Sequence, residues 1–280
     1  MPADPTETSV SQHYTHGSLE AAILQALTAA GKDLDALTAA DLAPVDEFHI
    51  GGREATEHLA QSLGLTAGAR LLDIGSGIGG AARYFAGEHG VTVTGIDLTD
   101  EYVQVAAALA VRVRLAEQVA FHQASALDLP FEAASFEAAT MLHVGMNIAD
   151  KAGLFAEAAR VLVPGGQIGV YDIMRTGDGP LAYPVPWAAD ESFSFLTAPD
   201  DYRQALEAAG LEIVDLEDRR DFAVAFFERM RARLGGKDGP PPLGLHILMG
   251  ADAPMKYGNM MRNVEAGLMA PVQIIARKAG

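Results

Sequence analysis

Short apolar runs alternate with amphipathic stretches along most of the chain. The runs at 69–74, 91–97, 119–124, 136–142 and 166–173 are of strand length and are bounded by turn residues. Segments with helical spacing of apolar residues stand between them, such as AARYFAGEH, EYVQVAAALAVRVRLAE and AGLFAEAARVL. Strands that alternate with helices of this length pair in parallel through right-handed crossovers. The pattern therefore predicts a doubly wound α/β sheet.

The two ends of the chain follow other patterns. Residues 1–12 are polar, with two prolines among the first five, and are expected to form a disordered tail. Helical patterns at 18–31 and 53–63 predict an N-terminal helical cap over 13–64. The C-terminal third predicts five further elements: a helix at 200–209, a strand at 211–217, a helix at 222–234, the loop GGKDGPPPLG and a strand at 270–279.

These elements divide the chain into a core and two insertions. The core is expected at 65–178, 199–218 and 269–280, and the insertions at 179–198 and 219–268. Insertions near the strand ends of an α/β sheet are where lids form. The two insertions are therefore predicted to build a helical lid that binds a substrate.

A glycine-rich turn after the first predicted strand carries the first candidate chemistry. LLDIGSGIGG, residues 71–80, places Gly75, Gly77 and Gly80 in the G-x-G-x-x-G spacing. Such glycines allow a ligand to approach the backbone, and the following helix directs free N–H groups toward it. Asp97 ends the second predicted strand, where an acid can accept both hydroxyls of a ribose. The turn and Asp97 suit a nicotinamide dinucleotide and S-adenosylmethionine alike.

Asp73, two residues before the turn, separates these two cofactors. A dinucleotide would place its anionic pyrophosphate close to this carboxylate, which repels it. S-adenosylmethionine has no phosphate and carries an ammonium, which the carboxylate can order. The sequence therefore favours S-adenosylmethionine. A nicotinamide-dependent oxidoreductase and a catalytically silent protein that binds S-adenosylmethionine are the alternatives.

Four motifs in order resemble those of the class I S-adenosylmethionine-dependent methyltransferases: LLDIGSGIGGAARYFA, GIDLTDEYV, ALDLPFEAASFEAA and RVLVPGGQIGVYD, over about residues 50–175. The resemblance implies a Rossmann-like sheet and methyl transfer to a small molecule by in-line displacement, with S-adenosylhomocysteine as product. It also implies ten cofactor-binding residues, which are Asp73, Gly75, Ser76, Gly77, Gly80, Asp97, Leu98, Ser125, Ala126 and Leu142.

The same resemblance implies separate roles within this set. Asp73 and the glycine-rich turn surround the methionine moiety, Asp97 binds the ribose, and Ser125 and Ala126 lie beside the adenine. Many relatives have an acid at the position of Ser125, which accepts a hydrogen bond from the adenine amino group. In this chain a serine hydroxyl or a backbone carbonyl is expected to replace that acid.

HYTHGSLEAAIL and DEFHIGGREAT resemble a narrower small-molecule branch, which contains phosphoethanolamine and sarcosine/dimethylglycine N-methyltransferases and tocopherol C-methyltransferases. In the phosphoethanolamine enzymes, a tyrosine of the N-terminal helix works with a histidine after the fourth strand. The resemblance matches Tyr14 to that tyrosine. The place of the histidine falls near Asn147, while His143 lies one helical turn earlier. Tyr14, His143 and Asn147 are therefore the candidate catalytic residues.

The stretch PLAYPVPWAADESFSFL, after the fifth strand, is the candidate acceptor wall. Its rings predict either an apolar wall or cation–π cage around the acceptor or a small core of the lid. The predicted acceptor-binding residues are His49, Arg175, Tyr183, Trp187, Phe193 and Phe195. Arg175 is expected at the mouth, available to a carboxylate or phosphate. An amine or amino-acid-like nitrogen is the favoured acceptor, and a lipophilic ring or phenol, with Arg175 in solvent, is the alternative.

Composition narrows the partners. The 280 residues include 37 acidic and 20 basic side chains, and this net charge of −17 disfavours nucleic acid and anionic membranes as partners. The chain has no cysteine, and its eight histidines form no motif such as H-E-x-x-H, so no metal is expected. Neither a targeting segment nor a membrane-spanning apolar run is evident. A cytoplasmic protein with a small-molecule acceptor is expected, and a homodimer is left open.

Overall fold

A seven-stranded sheet forms the centre of the computed structural model, which describes residues 5–234 and 241–280. The strands are β1 (Arg70–Ile74), β2 (Thr92–Asp97), β3 (Val119–Gln123), β4 (Phe136–Leu142), β5 (Leu162–Arg175), β6 (Leu211–Asp218) and β7 (Met269–Lys278). Their order is β3-β2-β1-β4-β5-β7-β6, so β3 and β6 form the edges. β1 to β5 pair in parallel, and β7 is antiparallel to both of its neighbours. The predicted α/β class is confirmed.

Helices flank this sheet on both faces. They are α1 (Pro5–Tyr14), α2 (Leu19–Ala29), α3 (Ala39–Asp46), α4 (Arg53–Leu63), α5 (Gly80–His89), α6 (Asp100–Arg112), α7 (Lys151–Val161), α8 (Pro199–Ala208), α9 (Arg220–Leu234), α10 (His246–Met249) and α11 (Ala253–Glu265). None of these described helices is long and apolar enough to cross a membrane.

Alternation of side chains along the strands gives the sheet two apolar faces. On β1, Leu72 packs into a buried cluster with Phe155 of α7 and Leu206 of α8. The neighbouring Leu71 packs into another cluster, with Phe85 of α5 and Ala60 of α4. Successive side chains of a strand point to opposite faces, so β1 supplies both layers of the core. This is why its sequence is a continuous apolar run rather than an alternating one.

The expected disordered tail is corrected by the structure. Residues 5–12 belong to α1, while residues 1–4 lie outside the described part of the chain. No residue of α1 is fully buried, and its sequence accordingly lacks the apolar face by which a helix is predicted. Polar contacts and the Tyr14 ring attach it: the His13 ring lies 3.1 Å from the carbonyl oxygen of Pro186, the Tyr14 hydroxyl donates to Asn147 Oδ1 at 3.4 Å, and the Tyr14 ring packs against two buried apolar clusters.

The two predicted insertions pack against each other. Trp187, from 179–198, shares a buried apolar cluster with Phe227 of α9 and Met260 of α11, both from 219–268. This cluster extends to Met146, which follows β4. A lid role for the insertions stays a prediction. The predicted loop GGKDGPPPLG falls partly on residues 235–240, outside the described residues.

Candidate functional site

A cavity of about 250 Å³ lies at the carboxyl ends of β1 to β4. Parallel strands present these ends at one edge of the sheet, which is where ligands bind in such folds. Thirteen of the predicted residues line the cavity: Tyr14, His49, Asp73, Gly75, Ser76, Gly77, Asp97, Leu98, Ser125, Ala126, Leu142, His143 and Asn147. The fold therefore brings together residues that the sequence separates by more than 130 positions.

The glycines of the glycine-rich turn have different structural roles. Gly75 and Gly77 have φ of 71° and 53°, in the left-handed region that favours glycine. A Cβ at Gly75 would lie 2.3 Å from a methyl carbon of Val144, whereas a Cβ at Gly77 would meet nothing within 4 Å. The backbone at Gly77 is therefore open to a ligand in the cavity.

Gly80 departs from its predicted role. It does not line the cavity, and a Cβ there would lie 2.4 Å from the carbonyl oxygen of Asp46. The absence of a side chain allows the start of α5 to pack closely on the end of α3. Gly80 thus serves helix packing in this structure, and the part of the turn that lines the cavity comprises Gly75, Ser76, Gly77 and Ile78.

Asp97 holds the turn in place at the end of β2. Its Oδ2 accepts from the Gly77 N–H at 2.9 Å, and its Oδ1 accepts from the Thr99 N–H at 2.8 Å. Burial raises the pKa of this carboxyl above its ordinary value, although these backbone donors oppose the rise. Each carboxylate oxygen has a second lone pair, so Asp97 retains acceptor capacity toward the cavity.

Asp73 has an incompletely satisfied carboxyl at the end of β1. The side chain is 1% exposed, and its Oδ1 accepts from the Thr140 hydroxyl at 2.9 Å. Its Oδ2 is buried without a hydrogen-bond partner among the described residues. Burial, together with the charges of Glu47 and Asp97, raises the pKa of Asp73 to about 7. A ligand ammonium would satisfy this oxygen and favour its charged form, so the site fits S-adenosylmethionine.

We expect Asp73→Asn to stabilise the ligand-free protein and to weaken binding of S-adenosylhomocysteine, which retains the ammonium. The ordinary pKa of this carboxyl is 3.8, and in the fold the pKa is about 7. Its ionisation therefore opposes folding increasingly as the pH rises from about 4 through 7. The variant should melt roughly 5 °C above the parent protein at pH 8, with a smaller difference at pH 5. Calorimetry should show the loss of affinity.

The control for this prediction is Asp215→Asn, on an exposed part of β6. It should change neither the melting temperature nor the affinity. Equal melting temperatures of Asp73→Asn and the parent protein at pH 8, with equal affinities, would contradict the assigned role of Asp73.

His143 presents a neutral imidazole to the cavity. Its φ is 55°, its backbone N–H donates to the Tyr171 carbonyl at 2.8 Å, and its ring stacks on that of Tyr171 at 5.3 Å between centroids. Burial, with a smaller contribution from His49, lowers the pKa of His143 well below its ordinary value. Its Nε2 is buried and has no hydrogen-bond partner within the described chain. The ring is therefore oriented and uncharged.

His49 is fixed by a polar network beside this ring, at 5.8 Å between centroids. The Thr56 hydroxyl donates to Glu47 Oε2 at 2.8 Å, so His49 Nε2, 3.0 Å from Thr56 Oγ1 and 3.1 Å from the Gly52 carbonyl oxygen, must carry the hydrogen. Burial lowers the pKa of His49, although Glu47 opposes this shift. His49 is thus a fixed wall residue.

Tyr14 and Asn147 meet at the same cavity. The Tyr14 hydroxyl donates to Asn147 Oδ1, and Asn147 Nδ2 donates to the Val144 carbonyl at 3.3 Å. Burial raises the pKa of Tyr14, so this hydroxyl stays protonated. An amide cannot accept a proton at physiological pH. The pair can therefore position a substrate but cannot accept a proton.

A second cavity, of about 500 Å³, adjoins the first. The two share Tyr14, Phe48, His49 and His143 as lining residues. Beyond these, the wall of the second cavity is mainly apolar and includes Ile50, Met146, Trp187, Phe226, Phe227, Met230, Leu243, Met249 and Met260. The histidine pair therefore stands between a polar cavity and an apolar one.

The charged residues that line the second cavity, within the described ranges, are paired with each other. Arg53 Nε lies 2.6 Å from Glu47 Oε1, and Arg229 donates to Glu54 at 2.7 Å. The Arg53 guanidinium also lies over the Tyr84 ring, 4.5 Å from its centroid. Each of these charges thus has an opposite charge nearby, while Arg53 Nη2 is buried without a hydrogen-bond partner among the described residues.

The predicted acceptor-binding residues separate in the structure. His49 and Trp187 line the second cavity, and Trp187 Nε1 donates to the Ser194 hydroxyl at 3.0 Å. Arg175, Tyr183, Phe193 and Phe195 line neither cavity. The predicted placement of Arg175 and of an aromatic partner for Trp187 is thus corrected for these two cavities.

A longer fifth strand explains the displacement of Arg175. β5 continues to Arg175, two residues beyond the predicted end, because it pairs with β7 up to Met269. The Arg175 side chain donates to the Gly179 carbonyl. Phe195 is held by its backbone N–H on the Met146 carbonyl at 2.9 Å, and Phe193 is 44% exposed. The chain therefore returns toward the site only near Trp187.

Sequence reasoning missed several lining residues. Glu7 and Val10 line the first cavity from α1, Asp46 lines it from the end of α3, and Phe48 lines both cavities. Phe48 directly precedes the predicted residue His49 in DEFHIGG, so its position in the sequence could have identified it as a lining residue. Glu7 lies in a polar stretch without periodicity and offered none.

Comparisons with known proteins match the region around the first cavity. A family model described as a methyltransferase domain matches residues 72–170. Methyltransferase GfsG of Streptomyces halstedii is 30% identical over 184 residues, which are 64% of this chain and 65% of that protein. O-methyltransferase cnsE of Penicillium expansum is 31% identical over 193 residues, 68% of this chain and 70% of the relative. The chain thus spans about two thirds of the length of these relatives.

A solved structure shows the same fold over the whole chain. Phosphoethanolamine N-methyltransferase 2 of Haemonchus contortus, in complex with S-adenosyl-L-methionine, superposes with a TM-score of 0.74. It is 18% identical, and the match covers 100% of this chain and 61% of that one. At this identity the likeness concerns the fold.

Proposed function

Because this chain belongs to the methyltransferase family and is an S-adenosylmethionine-dependent enzyme that acts on small molecules, we propose that it methylates a hydroxyl oxygen of a bulky, uncharged acceptor. The observation that carries this proposal is the second cavity, which is about 500 Å³ in volume, mainly apolar, and joined to the first at His49 and His143. The first cavity holds the cofactor and the second holds the acceptor. The two reactants then meet at the histidine pair.

The paired charges favour an uncharged acceptor. An acceptor with an ammonium, a carboxylate or a phosphate would need a counter-charge, since a buried ion without one is costly. The described charged residues of the second cavity form the pairs Glu47–Arg53 and Glu54–Arg229. Arg175, the predicted partner of an anionic acceptor, lines neither cavity. This supports the alternative of a lipophilic ring or phenol over an amino-acid-like amine.

Oxygen as the methylated atom is supported by the need for a proton acceptor. A neutral hydroxyl is a poor nucleophile unless its proton is removed as the new bond forms. The neutral His143 ring, with a free Nε2, can accept that proton, and Tyr14 with Asn147 can position the acceptor. The bound cofactor supplies a methyl group already activated on a sulfonium. The relative cnsE is itself named an O-methyltransferase.

An acceptor panel tests this function. Purified protein with S-adenosylmethionine is expected to methylate uncharged phenols or polycyclic and macrocyclic alcohols, and to leave amino acids and phosphoethanolamine unmodified. Mass spectrometry and NMR of the product identify the methylated atom. Turnover of an amino acid or of phosphoethanolamine, without turnover of any uncharged hydroxyl compound, would overturn the proposal.

Filling the second cavity should impair acceptor binding alone. Ala43 lines this cavity and not the first, so Ala43→Trp occupies acceptor space while leaving the cofactor cavity intact. KM for the acceptor should rise about tenfold or more, equivalent to a loss of at least ~1.4 kcal/mol. The affinity for S-adenosylhomocysteine should stay unchanged. Ala107→Trp, on the exposed side of α6, is the matched control and should have the parental KM.

A further inference from the structure

We infer that Glu7, on α1, accepts the hydrogen bond of the adenine amino group and so replaces the acid that the chain lacks at Ser125. The inference depends on the cofactor and is independent of the acceptor. It rests on the position of Ser125 at the sheet edge, on the hydrogen bond between Ser125 and Glu7, and on the face that α1 presents to the first cavity.

The strand order places the adenine next to Ser125. Asp73 follows the central β1, Asp97 ends β2, and Ser125 follows the edge strand β3. A ligand that extends along these strand ends with its ammonium at Asp73 and its ribose at Asp97 must place its remaining part, the adenine, at the end of β3. The exocyclic amino group of adenine is a hydrogen-bond donor, and leaving a buried donor unpaired is costly.

The Ser125 hydroxyl is already engaged. It donates its hydrogen to Glu7 Oε1, and it accepts from the Leu127 N–H at 3.0 Å. A carboxylate offers two oxygens and about four lone-pair positions, so the bond from Ser125 leaves Glu7 with acceptor capacity for a second donor. Ser125 thereby orients the carboxylate of Glu7, and Glu7 supplies the charged acceptor that a serine lacks.

The other acids of the first cavity have different partners. Asp97, which is assigned to the ribose, accepts from the backbone N–H groups of Gly77 and Thr99. Asp150 caps α7 by accepting from the Gly153 N–H at 2.8 Å. Asp46 pairs with Arg83 at 2.6 Å. Glu7, in contrast, accepts a hydrogen bond from Ser125, the residue that is assigned beside the adenine.

The placement of Glu7 is a property of the whole of α1. Glu7, Val10 and Tyr14 recur at spacings of three and four residues and all line the first cavity. At its C-terminal end the helix contacts Asn147 through Tyr14 and Pro186 through His13. Although no residue of α1 is fully buried, these polar contacts and the packing of Tyr14 against two apolar clusters attach it, and the bound cofactor would add one more contact at Glu7.

The test is a double-mutant cycle measured by calorimetry. S-adenosylhomocysteine is compared with its analogue that has hydrogen in place of the adenine amino group. The parent protein is expected to bind the analogue roughly tenfold more weakly, as befits loss of a bond to a charged acceptor. Glu7→Ala should bind S-adenosylhomocysteine roughly tenfold more weakly and discriminate less than about twofold between the two ligands. Glu7→Gln, which keeps an acceptor oxygen, should give an intermediate ratio.

The ratio of the two affinities distinguishes a direct contact of Glu7 with the adenine amino group from a general effect of the substitution on α1. Substitution in the first turn also changes the stability of the helix, but that change affects both ligands equally. The control is Glu101→Ala: Glu101 accepts from the N–H groups of His16, Gly17 and Leu19 and lies outside the first cavity. It loosens the connection between α1 and α2 and should preserve the tenfold preference.

Two results would overturn the inference. One is a parent protein that binds both ligands equally, and the other is a Glu7→Ala variant that keeps the full preference of the parent. The experiment contains no acceptor, so it can fail while the proposed methyl transfer holds, and the acceptor panel can fail while Glu7 is correctly assigned.

Discussion

His143→Asn is expected to lower kcat for methyl transfer to a hydroxyl by about 10²- to 10⁴-fold, the usual contribution of a general base. The His143 ring lies between the two cavities and has a free Nε2, so its loss removes the proton acceptor. Asparagine tolerates the φ of 55° at this position, so the backbone should keep its path. Single-turnover kinetics measure the chemical step, and calorimetry should show that S-adenosylhomocysteine still binds.

The pH profile provides a second readout of the same role. His143 acts in its neutral form, and burial holds its pKa well below the ordinary value of 6.5. Its contribution to kcat is therefore retained from pH 8 down past 6.5 and is lost only at more acidic pH. His122→Asn, an exposed histidine on β3, is the control and should keep both rate and profile. A parental rate in the His143→Asn variant would mean that the ring of His143 only forms part of the cavity wall.

Asp97→Ala is expected to weaken binding of S-adenosylhomocysteine by about 100-fold or more. The change removes the charged acceptor for two ribose hydroxyls, at about 1.5–3 kcal/mol for each hydrogen bond, and also removes the bonds to the Gly77 and Thr99 N–H groups that hold the turn in place. Both effects act at the cofactor cavity. Calorimetry gives the affinity, and thermal unfolding without ligand verifies that the variant is folded.

Asp128→Ala is the matched control for this change. Asp128 is exposed, follows β3 and does not line either cavity. Its variant should bind S-adenosylhomocysteine with parental affinity. An unchanged affinity in folded Asp97→Ala would mean that the ribose binds elsewhere in the molecule.

The strands, and the positions of Asp73 and Asp97 at one edge of the sheet, were predictable because local chemistry specifies them. Apolar runs bounded by turn residues located all seven strands, and the helix predicted at 53–63 matches α4. Asp73 and Asp97 follow apolar runs directly, and parallel pairing places all such ends at one edge of the sheet. In these cases a short window of sequence contains both the element and the functional side chain.

The acceptor side was less predictable because distant contacts determine it. Arg175 lies away from the second cavity because β5 pairs with β7, about a hundred residues later in the chain. Glu7 reaches Ser125 across 118 positions, and α1 lacks the apolar periodicity that identifies a helix. A helix that fully buries none of its residues leaves no hydrophobic pattern, so only the assembled structure shows it.

The edge strand β6 influences whether copies of this protein associate in concentrated solution. Its Val214 and Leu216 side chains are 52% and 41% exposed, and an edge strand presents unpaired backbone groups on which a strand from another molecule can add. Glu212, Asp215 and Asp218 are also exposed on this strand. Two such edges brought together would place carboxylates against carboxylates. The acidic side chains of β6 thus oppose strand pairing between two copies of the sheet through these edges.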